Sequence, residues 1–350
     1  MEGPKGEYIN SYVGFPTFFN APIIGLDDIE EGMTVVAGVP IDQGINLGRL
    51  GARFGPRGIR EGSYKYRSVQ EVAENHTTVD LDTNIGVRFK GDHTMGDIGD
   101  LKISPQDIMQ TTEGVASGVS DIVRRGGLPV VLGGDHYVCY PSFEGFARGM
   151  MERKSNPRIG YLHIDSHADF WDQLQAGSRY NHGTSARRIS ENSTISYKNM
   201  AWLGLNGAVL DAEQYRMYKN HSLKMVTARM MMEKGIEDAV KEVLEVAASS
   251  VDAVYVSIDI DVVDGSESPG TTACVFQGIR AREFLSLMSA LSQYDIVKGI
   301  DLCEVSPPLD PTGRTVHLAA LGLLSILGPR LFETVDMETG KVTGYQGFSY

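Results

Sequence analysis

The sequence predicts an α/β fold built on a central parallel sheet with helices on both faces. Two observations carry that expectation. Short apolar runs rich in Val and Ile, each closed by Gly, Pro or Asp, alternate with longer segments of helical period, and that is the pattern of strands buried on both sides by crossover helices. The alternation also runs unbroken from residue 34 to the C-terminus, without a Pro/Ser-rich linker or a shift of composition. Residues 34–350 therefore read as one domain, preceded by an arm, residues 1–33.

The expected strands are Thr34–Val39, Leu128–Leu132, Ile159–Asp165, Met200–Leu205, Leu223–Thr227, Ala253–Asp259 and Ile296–Glu304. The expected helices between them are Ser104–Arg125, Ser142–Met151, Gly235–Ala248, Arg280–Leu291 and Val316–Phe332. The arm differs from both patterns. Tyr8, Tyr12, Phe15, Phe18 and Phe19 are crowded together without helical or strand period. Aromatic clusters of this kind mark interfaces, so contact with a neighbouring subunit is expected, with packing on the chain's own domain as the alternative.

Composition excludes several classes. At 350 residues, 42% hydrophobic and 22% charged, the chain can bury a large core, which rules out a disordered or fibrous protein. With 32 basic and 45 acidic residues the net charge is -13, which repels phosphate backbones and anionic lipid but attracts small cations. Neither nucleic acid nor membrane is an expected partner, and no apolar run is long enough to span a bilayer. Cys139, Cys274 and Cys303 lack zinc-ribbon or redox spacing, and Met1 to Asn10 lacks the apolar core of a signal peptide. A reducing, cytoplasmic setting is expected.

Chemistry gathers where strands end. Gly133-Gly134-Asp135-His136 follows the strand ending at Leu132; paired glycines allow a sharp turn that leaves Asp135 and His136 at the rim of the sheet. Asp165-Ser166-His167-Ala168-Asp169 places three ionisable groups at alternate positions of an extended segment, so all project to one side. Asp259-Ile260-Asp261 repeats that logic. Carboxylates facing one another with no Lys or Arg among them repel unless cations intervene. His136, Asp165, His167, Asp169, Asp259 and Asp261 are thus candidate ligands, enough for two divalent metal ions if some carboxylates bridge. Oxygen-rich ligation with one imidazole per ion suits Mn2+, with Ni2+, Co2+ and Fe2+ as competitors. His163 reads as a core histidine or one that backs the ligands. Glu304 ends the last strand before Pro307-Pro308, where a carboxylate could receive a planar cation through two parallel hydrogen bonds.

Taken jointly, these motifs resemble the ureohydrolase family of arginases, agmatinases and guanidinobutyrases. The matching stretches are Gly133 to His136, Asp165 to Asp169, His182-Gly183-Thr184, Ser257 to Asp264 with Pro269-Gly270-Thr271, and Glu304 to Pro308. Gly51 to Arg60 is similar to the agmatinase-like branch. The resemblance implies a three-layer α/β/α arginase-type fold, a binuclear metal centre, and hydrolysis of a C–N bond in a small cationic guanidine-type substrate. It implies one ion among His136, Asp165, Asp169 and Asp259 and the other among Asp165, His167, Asp259 and Asp261. It further implies three catalytic residues, His182 as the proton shuttle to the leaving amine, Glu304 as the guanidinium clamp and Asp264, with Asp264 and Thr271 at the rim of the site, and a homo- or hetero-oligomer (trimer or hexamer).

Departures from the family pattern bear on the substrate. Asn206 stands where many agmatinase-like relatives carry Arg, and Gly265 and Thr272 replace a usual Pro and Gly. Phe170 and Trp171 lead into the His182 segment, and aromatic faces favour an alkylated or delocalised cation. Asn206, Trp171 and Thr271 join Glu304 as expected substrate contacts. The expected substrate is a small or alkylated guanidine or a biguanide such as metformin, whose hydrolases resemble this family. An agmatinase or guanidinobutyrase, a non-catalytic partner subunit and a single-zinc deacetylase on the related fold are the alternatives. The intact ligand set opposes the partner subunit, and the paired Asp259 and Asp261 oppose the deacetylase.

Overall fold

The computed structural model describes residues 14–44, 49–72, 77–81, 84–174, 177–206 and 210–345. Along the chain the strands are β1 (Thr34–Gly38), β2 (Thr77–Asp80), β3 (Ile85–Phe89), β4 (Met95–Asp100), β5 (Leu128–Leu132), β6 (Ile159–Ile164), β7 (Met200–Leu205), β8 (Lys224–Thr227), β9 (Ala253–Asp259), β10 (Val297–Cys303), β11 (Phe332–Asp336) and β12 (Val342–Thr343). The helices are α1 (Gly55–Val72), α2 (Ile108–Arg124), α3 (Cys139–Arg153), α4 (Ser185–Ile189), α5 (Ala212–His221), α6 (Ala228–Lys234), α7 (Ile236–Ala247), α8 (Ala281–Ser292), α9 (Arg314–Ile326) and α10 (Gly328–Leu331).

The main sheet has eight strands in the order β4-β1-β5-β10-β9-β6-β7-β8, and every pairing in it is parallel. Its inner strands β5, β6, β7 and β9 are buried at every residue, the signature of strands covered on both faces. Parallel pairing brings the carboxyl ends of β5, β6, β9 and β10 together at one edge, where open α/β sheets hold their ligands. Among the described residues no helix is long and apolar enough to cross a membrane.

All seven expected strands and five expected helices form, with boundary shifts of a few residues. The predicted helix Val316–Phe332 is divided: α9 ends at Ile326, α10 spans Gly328–Leu331 and Phe332 opens β11. Pro329, which has no N–H to give, lies in the first turn of α10. Beyond the expected elements stand β4 and a separate antiparallel sheet in the order β12-β11-β3-β2. These strands are short or carry Gly and Asp, so they lack the apolar signal of the inner ones. Helix α1 is likewise additional; its Gly55, Gly58 and Gly62 dilute the helical period.

The arm departs from the expected subunit contact where it is described. Phe18 and Phe19 are fully buried within the chain. Phe19 sets its ring edge-on to Phe89 and Phe332, with centroids 5.3 and 5.7 Å away. Its N–H donates to Ser63 Oγ at 2.7 Å, and that of Phe18 donates to Asp97 Oδ2 at 2.9 Å. Asp97 in turn receives two bonds from Arg60, both at 2.9 Å, so α1, β4 and the arm share one buried ion pair. Phe15 is 89% exposed, and Tyr8 and Tyr12 lie outside the described residues.

Replacing Phe19 by Ala should cost about 3–5 kcal/mol in denaturant unfolding, the usual loss for a buried aromatic. Phe15→Ala should change stability by about 0.5 kcal/mol or less. Equal effects would contradict this account of the arm.

Candidate active site

The expected residues converge at the carboxyl edge of the sheet. Gly134 lets the chain turn after β5, because a Cβ there would sit 2.0 Å from the carbonyl oxygen of Ile41. The next two residues begin a 3-10 turn, His136–Val138, capped by Asp135. Asp165 follows β6 directly, Asp259 is the last residue of β9, and Glu304 follows β10. Asp169 and Glu304 adopt left-handed backbone, φ 46° and 64°, a conformation that costs a non-glycine residue free energy and recurs at functional sites.

Two constellations form, and Asp165 belongs to both. His136 Nδ1 lies 2.8 Å from Asp165 Oδ2, 3.1 Å from Asp169 Oδ2 and 3.2 Å from Asp259 Oδ2. His167 Nδ1 lies 3.0 Å from Asp261 Oδ2 and 3.4 Å from Asp165 Oδ1. All four aspartates and His136 are buried, whereas the His167 side chain is 34% exposed. His136 Nδ1, Asp165 Oδ2 and Asp261 Oδ2 make no hydrogen bond although they are inaccessible to solvent. Buried nitrogen and oxygen atoms brought together without hydrogen-bond partners leave room for a cation. His136, His163, Asp165 and Asp169 offer ligand atoms within 4.8 Å of one another, as do Asp165, His167 and Asp261.

The electrostatics express the same crowding. Burial foremost, then the charges of Asp261 and Asp165, pushes Asp259 well above the usual carboxylate range. Asp261 rises to about 6, burial again leading. Burial acts on Asp165 in the same direction, but His136, His163 and His167 reverse it and hold this carboxyl well below the ordinary value. Glu304 is pushed to about 8 by burial and by Asp135.

Behind the ligand atoms lies a layer in which the sequence pointed to His163 alone. His136 Nε2 is 2.9 Å from Ser257 Oγ, and Ser257 Oγ donates to Asp301 Oδ1 at 2.7 Å. A ring whose Nε2 is engaged in this way turns Nδ1 towards the carboxylates. His163 stacks on the His136 ring at 4.8 Å, with Nε2 3.0 Å from Asp165 Oδ2 and Nδ1 2.8 Å from Tyr161 Oη. A signal for Ser257 was present: residues two apart on β9 share a face, which sets it beside Asp259.

A cavity of about 330 Å³ opens above these groups, lined by His167, Asp169, Trp171, Leu174, His182, Gly183, Asp259, Asp261, Ala273 and Glu304. His182 Nδ1 lies 3.8 Å from Glu304 Oε1, and the Glu304 carboxylate also accepts from the His136 N–H at 2.9 Å. Burial lowers the His182 imidazole below its ordinary value. Trp171 is anchored by its Nε1 on Asp211 Oδ2 at 2.8 Å.

Three expected site residues stand elsewhere. Asn206 spends its amide on the carbonyl oxygen of Phe276 at 2.5 Å. Asp264 accepts from Ser266 N and Oγ at 2.9 and 2.7 Å and from Gln277 N at 2.8 Å, so the expected catalytic carboxylate is one that holds a loop. Thr271 is fully buried and is not in the cavity lining. Leu174 and Ala273, which do line it, carried no signal in the sequence.

Fold and site together define a ureohydrolase. Residues 33–328 match the model of the Arginase family, and the chain belongs to that family. It is 30% identical over 319 residues to the guanidinopropionase of Pseudomonas aeruginosa, covering 91% of this chain and 92% of that one. The structure of proclavaminate amidino hydrolase from Streptomyces clavuligerus superposes with a TM-score of 0.72 at 28% identity, covering 91% and 97% of the two chains. Trypanosoma cruzi formiminoglutamase, solved with Mn2+, shares the fold with a TM-score of 0.71 at 23% identity, covering 89% and 95%.

If Asp264 only holds its loop, Asp264→Ala should lose about 1–2 kcal/mol in denaturant unfolding, as expected for deleted hydrogen bonds, and keep turnover within about tenfold. A loss of turnover of about 100-fold or more at unchanged stability, of the size expected for a proton-transfer group, would return it to the chemistry.

Proposed function

We propose that this chain hydrolyses a C–N bond of a guanidine-type compound, adding water across it to release urea or a urea derivative and an amine. Two divalent ions are part of the reading: one among His136, Asp165, Asp169 and Asp259, the other among Asp165, His167, Asp259 and Asp261. The single observation that carries it is the convergence of ligand atoms on two points, His136 Nδ1 and His167 Nδ1 among four buried carboxylates. Nitrogen and oxygen donors without thiolate suit Mn2+ or Ni2+. Such ions supply Lewis acidity and acidify a water at neutral pH.

The chain's own groups do the rest. Glu304, buried and prone to protonation when alone, takes a guanidinium through paired hydrogen bonds and is held ionised by its charge. His182, whose imidazole burial holds below its ordinary value, takes up the proton that the attacking water gives up and relays it to the leaving nitrogen. The left-handed backbone of Glu304 and the bond from His136 N fix the carboxylate before substrate arrives. Trp171 and Leu174 cover one wall of the cavity and limit water.

Among the described residues the cavity lining contains no Lys or Arg, and Asn206 is committed to Phe276. A small or alkylated guanidine, or a biguanide such as metformin, fits that lining better than a substrate with a carboxylate tail. A guanidino acid is the second reading. The Pseudomonas relative is a guanidinopropionase, and Arg49 Nη1 donates to the carbonyl of Thr272 at 3.4 Å, next to Ala273 of the lining.

Urea release from guanidine, metformin, agmatine, guanidinopropionate, guanidinobutyrate and arginine, measured after loading with Mn2+ or Ni2+, decides between them. The first reading expects a higher kcat/KM for an uncharged tail. The second expects the acids to win and Arg49→Ala to penalise them alone.

Fully active protein should hold two ions per chain by elemental analysis. Asp259→Ala should lose both, and Ser257→Ala should weaken binding about 10- to 100-fold, the usual effect of removing a partner behind a ligand. Full activity with one ion or fewer would contradict the binuclear reading. His182→Asn should lower kcat by roughly 10²- to 10⁴-fold with metal content unchanged; loss of metal in that variant would make His182 a ligand instead.

A further inference from the structure

Asp135 is fully buried at the rim of the sheet, next to His136, and takes no part in the chemistry outlined above. Both of its oxygens are spent on backbone. Oδ2 accepts from the Gly44 N–H at 2.7 Å, and Oδ1 accepts from the Tyr137 N–H at 3.1 Å. Its own N–H donates to the carbonyl of Ile41 at 3.0 Å. The segment Ile41 to Gly44 is therefore held at both ends by one residue.

The far side of that segment meets the proposed proton shuttle. The carbonyl of Gly44 accepts the His182 N–H at 3.2 Å. Gly44 is wedged so tightly that a Cβ on it would lie 2.6 Å from Tyr137 Cβ, 3.0 Å from His182 N and 3.1 Å from Asp135 Oδ1. One residue thus bridges the turn that carries His136 and the turn that carries His182, its N–H facing the first and its carbonyl the second. Those two turns, His136–Val138 and His182–Thr184, otherwise hang from different strands.

Given His182 as the proton-transfer group, we propose that Asp135 is its positioning residue, acting through the Gly44 backbone to fix where the imidazole stands relative to Glu304. A carboxylate is required for this, because both oxygens accept. An asparagine side chain accepts with one atom only and would set its amide against one of the two N–H groups.

The test is a double-mutant cycle on the metal-loaded protein. Asp135→Asn should lower kcat by about 10- to 100-fold, with KM and the metal content near those of the parent. The decisive number is the double variant Asp135→Asn/His182→Asn. If Asp135 works through His182, the double variant is as slow as His182→Asn alone, since residues that act as a unit are not additive. Multiplicative effects in the double variant, loss of metal in Asp135→Asn, or unchanged kcat in Asp135→Asn would each overturn the proposal. Should Asp135→Asn not fold, Gly44→Ala serves in its place, with the same expected non-additivity against His182→Asn and the same overturning results. If His182→Asn itself keeps full turnover with both ions bound, the acid-base reading of His182 fails along with this one. An impaired His182→Asn with an additive cycle removes only the role of Asp135.

Discussion

Carboxylates buried side by side repel, and each also gives up its hydration, so a site holding four of them is unstable unless positive charge stands between them. In this chain Asp165, Asp169, Asp259 and Asp261 share one pocket with His136 and His167, and among the described residues the cavity above them has no Lys or Arg in its lining. The strongly raised Asp259 and strongly lowered Asp165 are two expressions of that frustration. The geometry of the edge, including the left-handed backbone at Asp169 and Glu304, is arranged around this constraint.

The sheet makes such crowding possible. Parallel strands β5, β10, β9 and β6 are neighbours, so their carboxyl ends deliver His136, Glu304, Asp259 and Asp165 to one place without any long excursion of the chain. The layer behind His136, with Ser257 and Asp301 on one side and His163 and Tyr161 on the other, lies on β9, β10 and β6, where packing fixes rotamers. The groups that would meet substrate, Trp171, Leu174 and His182, come instead from the segment after β6, which the Gly44 peptide ties back to the sheet. That segment also carries His167 and Asp169, so the ligand cluster and the substrate wall share one stretch of chain.

The inner strands and the ligand clusters were legible because their signals are local. An unbroken apolar run reads as a doubly covered strand, and like charges at alternate positions read as a shared face. The edge strand β4 and the small sheet of β2, β3, β11 and β12 were not legible, since partly exposed strands with Gly, Asp and Thr look like loops. Phe18 and Phe19 show the same limit: an aromatic cluster states that something must cover it, and only the fold supplies Phe89, Phe332 and the Arg60–Asp97 pair. Asn206 and Asp264 were assigned by their place in a motif, but hydrogen bonds across loops decided their partners. Leu174 and Ala273 reach the cavity through loop geometry that no sequence period encodes.

The claim on which the account turns is that cations occupy the carboxylate cluster. Anomalous scattering from crystals of the protein loaded with Mn2+ tests it most directly. Two peaks per chain, one against His136 Nδ1 and one against His167 Nδ1 with Asp165 between them, are the predicted result. A single peak, or none within the cluster in protein that turns over a guanidine compound, would contradict it.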